Sequence, residues 1–508
     1  MNNPGLNKNP RSTKAPLDMD PAEFRQLGYL LVDQIAGFLQ SLAQRPVTLG
    51  ESPKEVRALL DPGPLPELGV QAEDLLRESA GLLFDHSLFN GHPRFWGYIT
   101  SSAAPIGALA DLLAGSVNPN VGAWGLSPLA SEIESQTIRW IAELIGFPSE
   151  GGGILVSGGN MANFVGFLAA RRAKLPWDVR TAGLRAGGQE PRMYVSRDTH
   201  TWIQKAADLF GFGLDAIRWI PTNYDHQMDV NMLEQQIQAD LDQGGLPFLV
   251  AGTAGSVGVG AVDPLPEIAE ICRRYKLWFH VDGAYGAPAA ALPEASPELK
   301  GLSQADSLAI DPHKWLYAPL EVGCTLVRDR KHLSDAFSFH PEYYNFDTLG
   351  GEMPMNYHEF GPQNSRGFRA LKVWLALRLV GRQGYIDMIR DDISLAGELY
   401  REILAAPELQ PFTQNLSITT FRYVPAGLAI GDEAVEIYLN DLNREILDQL
   451  QIGGEVYVSN AVLDGTYLLR ACIVNFRTRL EDIQALPEVV VRVGKMLDAR
   501  MRPEQLRI

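Results

Sequence analysis

Two short segments carry the residue types best suited to covalent chemistry. The first, Leu277-Trp278-Phe279-His280-Val281-Asp282-Gly283-Ala284-Tyr285-Gly286, is an apolar, aromatic-rich run that delivers one aspartate and then breaks at small residues. The second, Ala305-Asp306-Ser307-Leu308-Ala309-Ile310-Asp311-Pro312-His313-Lys314-Trp315, delivers His313 and Lys314 just after a proline. Taken singly, an aspartate or a lysine at a strand end more often joins a buried ion pair or meets solvent. Together at the ends of two core strands they suit pyridoxal phosphate (PLP). The lysine forms the Schiff base with its aldehyde. The carboxylate keeps the pyridine nitrogen protonated, so that the ring can accept electrons.

The elements that must position these groups follow from periodicity. Strands are expected at Gly151–Val156, Arg192–Ser196, Ala216–Pro221, Pro247–Thr253, Leu277–Asp282, Ser307–Ile310 and Gly323–Val327, with helices between them, for example Met232–Leu241 and Leu265–Arg274. Such alternation predicts a largely parallel sheet covered on both faces, with ligands at the carboxyl ends of the strands. Asp282 and Lys314 both fall there. Ser157-Gly158-Gly159-Asn160 lies between a strand and a helix that continues through Phe164, Phe167 and Leu168. A glycine turn of that kind aims free backbone N–H groups at a phosphate, although it is neither a P-loop nor GxGxxG.

Upstream, Phe24, Leu27, Leu31, Ile35, Phe38 and Leu42 form one apolar stripe on a helix over 21–42. The opposite face carries Glu23, Asp33 and Gln40 and no basic cluster, so packing against protein is favoured over a membrane surface. Another amphipathic helix is expected over Glu132–Phe147. From about Leu379 a small α+β layer is expected, with a helix near Ile386–Ile403 and strands at Ser417–Val424, Glu455–Ser459 and Leu468–Val474.

Composition narrows the function classes. At 508 residues, 46% hydrophobic and 21% charged, the chain is that of a soluble globular protein. It has no run of eighteen apolar residues to span a membrane and no hydrophobic signal core, which makes the cytoplasm the expected location. A net charge of -17 argues against nucleic acid as a partner. Cys272, Cys324 and Cys472 sit far apart in apolar contexts and read as reduced core residues, and no histidine cluster suggests a metal.

The HVD-x-AYG and PHKW strings, at His280–Gly286 and Pro312–Trp315, closely resemble the active-site strands of the group II PLP-dependent decarboxylases. That family includes aromatic-L-amino-acid, histidine and glutamate decarboxylases, and the likeness extends over nearly all of the chain after the first twenty or so residues. The resemblance implies fold-type I, the aspartate aminotransferase-like α/β fold. Its large domain has a mostly parallel seven-stranded sheet, and its C-terminal domain is a small α+β unit. The expected division is a lead-in over 1–20, a helical dimerisation segment over 21–90, a PLP-binding domain over 91–378 and the small domain over 379–508.

By the same resemblance, Lys314, Asp282, His200, Ala284, Gly158, Gly159, Asn160, His313 and Ser365 hold the cofactor, with His200 stacked on its ring and Ala284 on the opposite face. Tyr98, Thr100 and Trp124 line the substrate pocket, the segment near Trp124 reaching over from the other subunit of a homodimer. From Phe95 to Ser127, the stretch that the resemblance implies lines that pocket, there is no Lys or Arg, which favours an aromatic or other apolar substrate over an acidic one. Tyr343, in Pro341-Glu342-Tyr343, matches a loop tyrosine that projects into the partner's site as a catalytic acid, alongside Lys314, His200 and Asp282. The turn at Ser365-Arg366-Gly367 approaches the neighbour's phosphate. Two residues depart from the pattern. Val257 stands where the family has a threonine. Asp311 stands where the aromatic branch has asparagine near the phosphate, so it is given no phosphate-binding role.

The expected activity is decarboxylation of an L-amino acid to its amine and carbon dioxide. An aldehyde synthase, an aminotransferase and a decarboxylase of acidic amino acids are the alternatives, with a PLP-binding pseudoenzyme behind them. Tyr343 speaks against the aldehyde synthase, which typically carries phenylalanine there.

Overall fold

The computed structural model describes residues 15, 17–60, 62–339 and 354–506. The main sheet has seven strands: β1 Gly152–Val156, β2 Pro191–Ser196, β3 Ile217–Ile220, β4 Leu246–Thr253, β5 Trp278–Asp282, β6 Ser307–Ile310 and β7 Gly323–Val327. Their spatial order is β1-β7-β6-β5-β4-β2-β3. β6, β5, β4, β2 and β3 run parallel, whereas β7 is antiparallel to both β1 and β6. β1 therefore ends at the same edge as the parallel strands. This is the mostly parallel sheet that the alternation of elements predicts, with strand bounds shifted by a residue or so.

Burial explains why these segments are strands. All five residues of β5 and all four of β6 are buried, as expected where helices cover both faces. Trp278, Phe279 and Val281 each contribute on the order of 1.5–3 kcal/mol by leaving water. The helix Leu265–Tyr275 buries Leu265, Ile268, Ala269, Ile271 and Cys272 and ends at Lys276 in the left-handed conformation. The helix Gly159–Lys174 places Arg171, Arg172 and Lys174 in its last turn, where cations favour the dipole. Its N-terminus opens on the carboxyl edge of the sheet. His280, on β5 beneath that helix, is saturated: its ring nitrogens meet Ser307 Oγ and Asn163 Oδ1, each at 2.7 Å.

A second, fully antiparallel sheet has the order β10-β11-β9-β8, from β8 Leu409–Asn415, β9 Ile418–Tyr423, β10 Ser459–Leu463 and β11 Thr466–Cys472. Two of its strands differ from expectation. β8 is not anticipated, because Pro411 interrupts an already polar run. It is an edge strand with an irregularity between Pro411 and Thr413, where a proline is tolerated. The strand expected at Glu455–Ser459 begins only at Ser459. The preceding apolar residues pair elsewhere: Tyr457 donates to the Arg94 carbonyl and accepts from Trp96 N–H, stitching 94–96 to this unit.

A long helix, Ala370–Ala405, joins the two sheets and is broken at Gly381, whose φ of 69° and ψ of 171° are open to glycine. At the N-terminal side, Pro21–Ser41 is helical, capped by Asp20 through Ala22 N–H. Phe38 on its apolar stripe stacks on Phe84 at 4.7 Å, but Leu27 is the one residue of the helix that is fully buried. The three cysteines are buried and free. Among the described residues no helix is long and apolar enough to cross a membrane.

Candidate active site

The carboxyl edge of the main sheet gathers residues from five separate strand ends. Parallel pairing sets Thr253, Asp282 and Ala309 side by side on β4, β5 and β6. The chain leaving β6 turns through Asp311 and Pro312, with Lys314 N–H bonded to the Asp311 carbonyl at 2.8 Å. β1 ends at the Ser157-Gly158-Gly159 turn, and His200 follows β2. These ends surround a cavity of about 410 Å³. A larger hollow of about 890 Å³, between Arg45, His92, Arg94, Arg477 and Asp482, holds none of these groups and no lysine. Chemistry, not size, selects the smaller one.

Lys314, Asp282, His200, Ala284, Gly158, Gly159, Asn160 and His313 all line this cavity. Lys314 Nζ lies 3.1 Å from Asp311 Oδ2, and both side chains are shielded. Asp282 is buried, and its Oδ1 accepts from Ala284 N–H at 3.2 Å, which fixes the carboxylate at the strand end. His313 Nδ1–H donates to the Val322 carbonyl at 2.7 Å, leaving Nε2 3.8 Å from Asp311 Oδ2. His200 is open on the cavity side, yet desolvation by the protein around it lowers its pKa. The Asp282 carboxylate opposes that shift and the Lys314 cation adds to it. The imidazole is thus neutral near pH 7, able to stack flat and to pass a proton.

The glycine turn is built for close approach. Gly158 has φ of 106°, and its N–H and those of Gly159 and Asn160 belong to the unpaired first turn of the helix Gly159–Lys174. A Cβ at Gly159 would lie 2.5 Å from Asp311 Oδ2. Asp311 therefore sits directly against this turn, neutralised by Lys314. Its Oδ1 and the Oγ1 of Thr253 are buried without a hydrogen-bond partner in the protein. Orphaned polar atoms are rare in interiors and point to a ligand that completes them. A lysine, a buried carboxylate beside it on the sheet edge, a flat imidazole and a helix N-terminus match the amine-reactive aldehyde, ring nitrogen, ring face and phosphate of PLP. The residues fit that cofactor.

Other expected site residues lie elsewhere in the single chain. Tyr98, Thr100, Trp124 and Ser365 do not line the cavity. Tyr98 is half-exposed, held by its N–H to Ser459 Oγ, and Trp124 donates its indole N–H to Glu132. Ser365 is exposed. Next to it, Arg366 is buried against Glu134 and the Val121 and Leu155 carbonyls. Tyr343 lies outside the described residues. Sequence reasoning missed Leu320 and Glu321 as lining, whereas Ile99 lies in the Tyr98–Ser101 segment that the resemblance places at the substrate pocket. Leu320 and Glu321 follow Lys314 by six and seven positions, a closeness in sequence that could have flagged them. Arg470 was also missed: buried, it donates to the carbonyl of Val257 and to Ser459 Oγ just behind the cavity wall.

Comparison with known proteins points to the same cofactor. The conserved domain of pyridoxal-dependent decarboxylases matches residues 53–424. The aromatic-L-amino-acid decarboxylase of Bacillus atrophaeus is 34% identical over 468 residues, 92% of this chain and 94% of that protein. Phenylacetaldehyde synthase of Petunia hybrida is 30% identical over 471 residues, 90% of this chain and 91% of its own. The solved structure of Oryza sativa TDC with PLP and tryptamine superposes with a TM-score of 0.87 at 27% identity, covering 96% of this chain and 100% of that one.

The contact between Gly159 and Asp311 makes a sharp prediction. Gly159→Ala should weaken PLP retention by about tenfold or more, since the added methyl must displace a buried carboxylate. Adding Asp311→Ala should recover part of that loss, because the obstacle is gone. Equilibrium titration of apoprotein with PLP measures both. An unchanged affinity in Gly159→Ala would contradict the tight turn.

Proposed function

This chain belongs to the pyridoxal-dependent decarboxylase family and is a PLP-dependent amino-acid decarboxylase, and we propose that it converts an aromatic L-amino acid to its amine and carbon dioxide. The observation that carries the substrate class is the lining beyond Lys314. Ile99, Val257 and Leu320 are apolar, and Glu321 is the charge beside them. Among the described lining residues no arginine is present to meet an acidic side chain, and Glu321 is already paired with Arg369 at 3.1 Å. The decarboxylase relative named for aromatic amino acids supports the same reading.

PLP, when bound, supplies an electron sink for the pair left on Cα as the carboxylate departs. Lys314 would hold the aldehyde carbon. Asp282 would hold the proton on the ring nitrogen, in a site buried enough for that charge to act strongly. The N–H groups at Gly158–Asn160 would receive the phosphate, and His200 would cover the ring. Tyr343 would return a proton to Cα as general acid, with neutral His200 able to relay it. An aldehyde synthase is the second reading, raised by the Petunia relative, and Tyr343 weighs against it.

The proposal includes a cytoplasmic homodimer with sites at its interface and with 21–90 as the dimerisation segment. The helix Pro105–Val117 leaves Leu109, Leu112, Leu113 and Val117 each more than half exposed, and Leu126 and Leu129 extend that apolar face. A patch of this kind favours protein contact. A partner on it would also give Tyr98, Trp124 and Ser365 a second site to reach.

Purified protein incubated with a panel of L-amino acids should release carbon dioxide and amine from tyrosine, tryptophan, phenylalanine or a close relative. Turnover of glutamate or aspartate alone would overturn the aromatic assignment, and aldehyde with ammonia and peroxide as main products would favour the synthase. A second test concerns the interface. Lys314→Ala and Tyr343→Phe dimers should each make little amine. Unfolded together and refolded with PLP, they should regain about a quarter of parental sites, because half the dimers are mixed and each has one intact site. No gain, with mixed dimers shown by differential tagging, would rule out a shared site.

A further inference from the structure

Asp392 is a carboxylate 2% exposed in the second half of the long helix, among groups that the chemistry above does not use. Among the described residues no lysine or arginine forms an ion pair with it. A buried charge without a cation is costly, so a fold that keeps one has a use for its hydrogen bonds. Two of those bonds converge on one place, while a third comes from the Asn475 backbone. Trp315 Nε1 donates to Asp392 Oδ2 at 2.9 Å, and the Tyr317 hydroxyl donates to the same oxygen at 2.7 Å. Both donors belong to the turn that carries Lys314.

The residue between them is held from the same helix. Tyr385, two turns before Asp392 on the same face, donates its hydroxyl to the Leu316 carbonyl at 3.2 Å. Trp315, Leu316 and Tyr317 are thus fixed in succession from behind while Lys314 faces the cavity. The turn itself is tight. Tyr317 N–H bonds to the Lys314 carbonyl, Ala318 N–H bonds to the Pro312 carbonyl, and Tyr317 has φ of 54°, a left-handed conformation that a tyrosine adopts only when held. Tyr285 stacks on Trp315 at 4.9 Å with 15° between planes, and Ser101 Oγ donates to the His313 carbonyl.

We propose that Asp392 is a positioning residue for the decarboxylation: its carboxylate clamps Trp315 and Tyr317 and thereby fixes the direction from which Lys314 enters the cofactor cavity. Gly381, where the long helix breaks, lets the segment bearing Tyr385 and Asp392 aim at the lysine turn independently of the helix before it. Burial raises the Asp392 carboxyl to about 7, so its neutral form is populated near neutrality. The amide of asparagine is then a fair mimic, since its oxygen can accept from both donors.

The proposal rests on Lys314 as the cofactor's anchor, but its test reads the turn directly. Hydrogen exchange at the Lys314, Tyr317 and Ala318 amides is followed in cofactor-free and loaded protein, beside kcat and KM for an aromatic substrate. Asp392→Ala should speed exchange at those amides by about tenfold and lower kcat per bound cofactor by about tenfold, with KM changed less than about threefold. Asp392→Asn should restore both to within about threefold of the parent. Tyr317→Phe, which leaves the carboxylate in place, should move both readouts the same way by a smaller factor, and it carries the test if Asp392→Ala does not fold. A lower melting temperature with parental kcat per cofactor and parental exchange at the turn would overturn the proposal. So would an Asp392→Asn variant as impaired as Asp392→Ala. Exchange in the cofactor-free protein is independent of turnover, so a wrong substrate assignment and a missing clamp give different results.

Discussion

The pairing of β5 with β6 is the constraint on which the site depends. Register sets His280 opposite Ser307, Val281 opposite Leu308 and Asp282 opposite Ala309. Side chains alternate along a strand, so a slip of one residue would turn Asp282 to the other face and carry its carboxylate away from the cavity. The register is protected by burial on both faces and by the bonds of Trp278 and His280 to Ser307 Oγ. Once these strands are fixed, the glycine turn after β1, His200 after β2 and Thr253 at the end of β4 reach the same edge, because all those strands end there.

Electrostatics then follows from geometry. The cavity collects a lysine, three carboxylates and two imidazoles in a partly dry space, where each charge needs a partner, and Glu321 finds its own in Arg369. Asp311 answers Lys314, the backbone at Ala284 answers Asp282, and the Val322 carbonyl fixes His313. What stays unmatched is as informative: Asp311 Oδ1 and Thr253 Oγ1 have no protein partner. The helix N-terminus at Gly159 adds a positive pole to the same space. The arrangement is organised for a planar, anionic cofactor that bonds covalently to one amine.

Much of this was legible in the sequence because the informative residues cluster at strand ends. Asp282, Lys314 and the Gly158-Gly159 turn each follow a short apolar run, and the central strands read clearly because both their faces are buried. What was not legible depends on contacts across long separations. Asp392 looks like one more charge on a helix of alternating charge, and nothing nearby in sequence marks the Trp315 and Tyr317 side chains that reach it from 77 and 75 positions away. Leu320 and Glu321 enter the lining through the path of a loop, which no periodicity encodes. β8 was hidden by Pro411, and Tyr457 spends its strand-forming backbone on residues 94–96.

The central claim is that one lysine, Lys314, held at the end of β6 beside Asp311, anchors the cofactor. It is tested most directly by reducing the PLP-loaded protein with borohydride, digesting it and mapping the mass of the retained cofactor. The account predicts loss of the visible cofactor absorbance and a single modified peptide containing Lys314. A cofactor adduct on any other lysine, or protein that takes up PLP without a reducible bond, would contradict it.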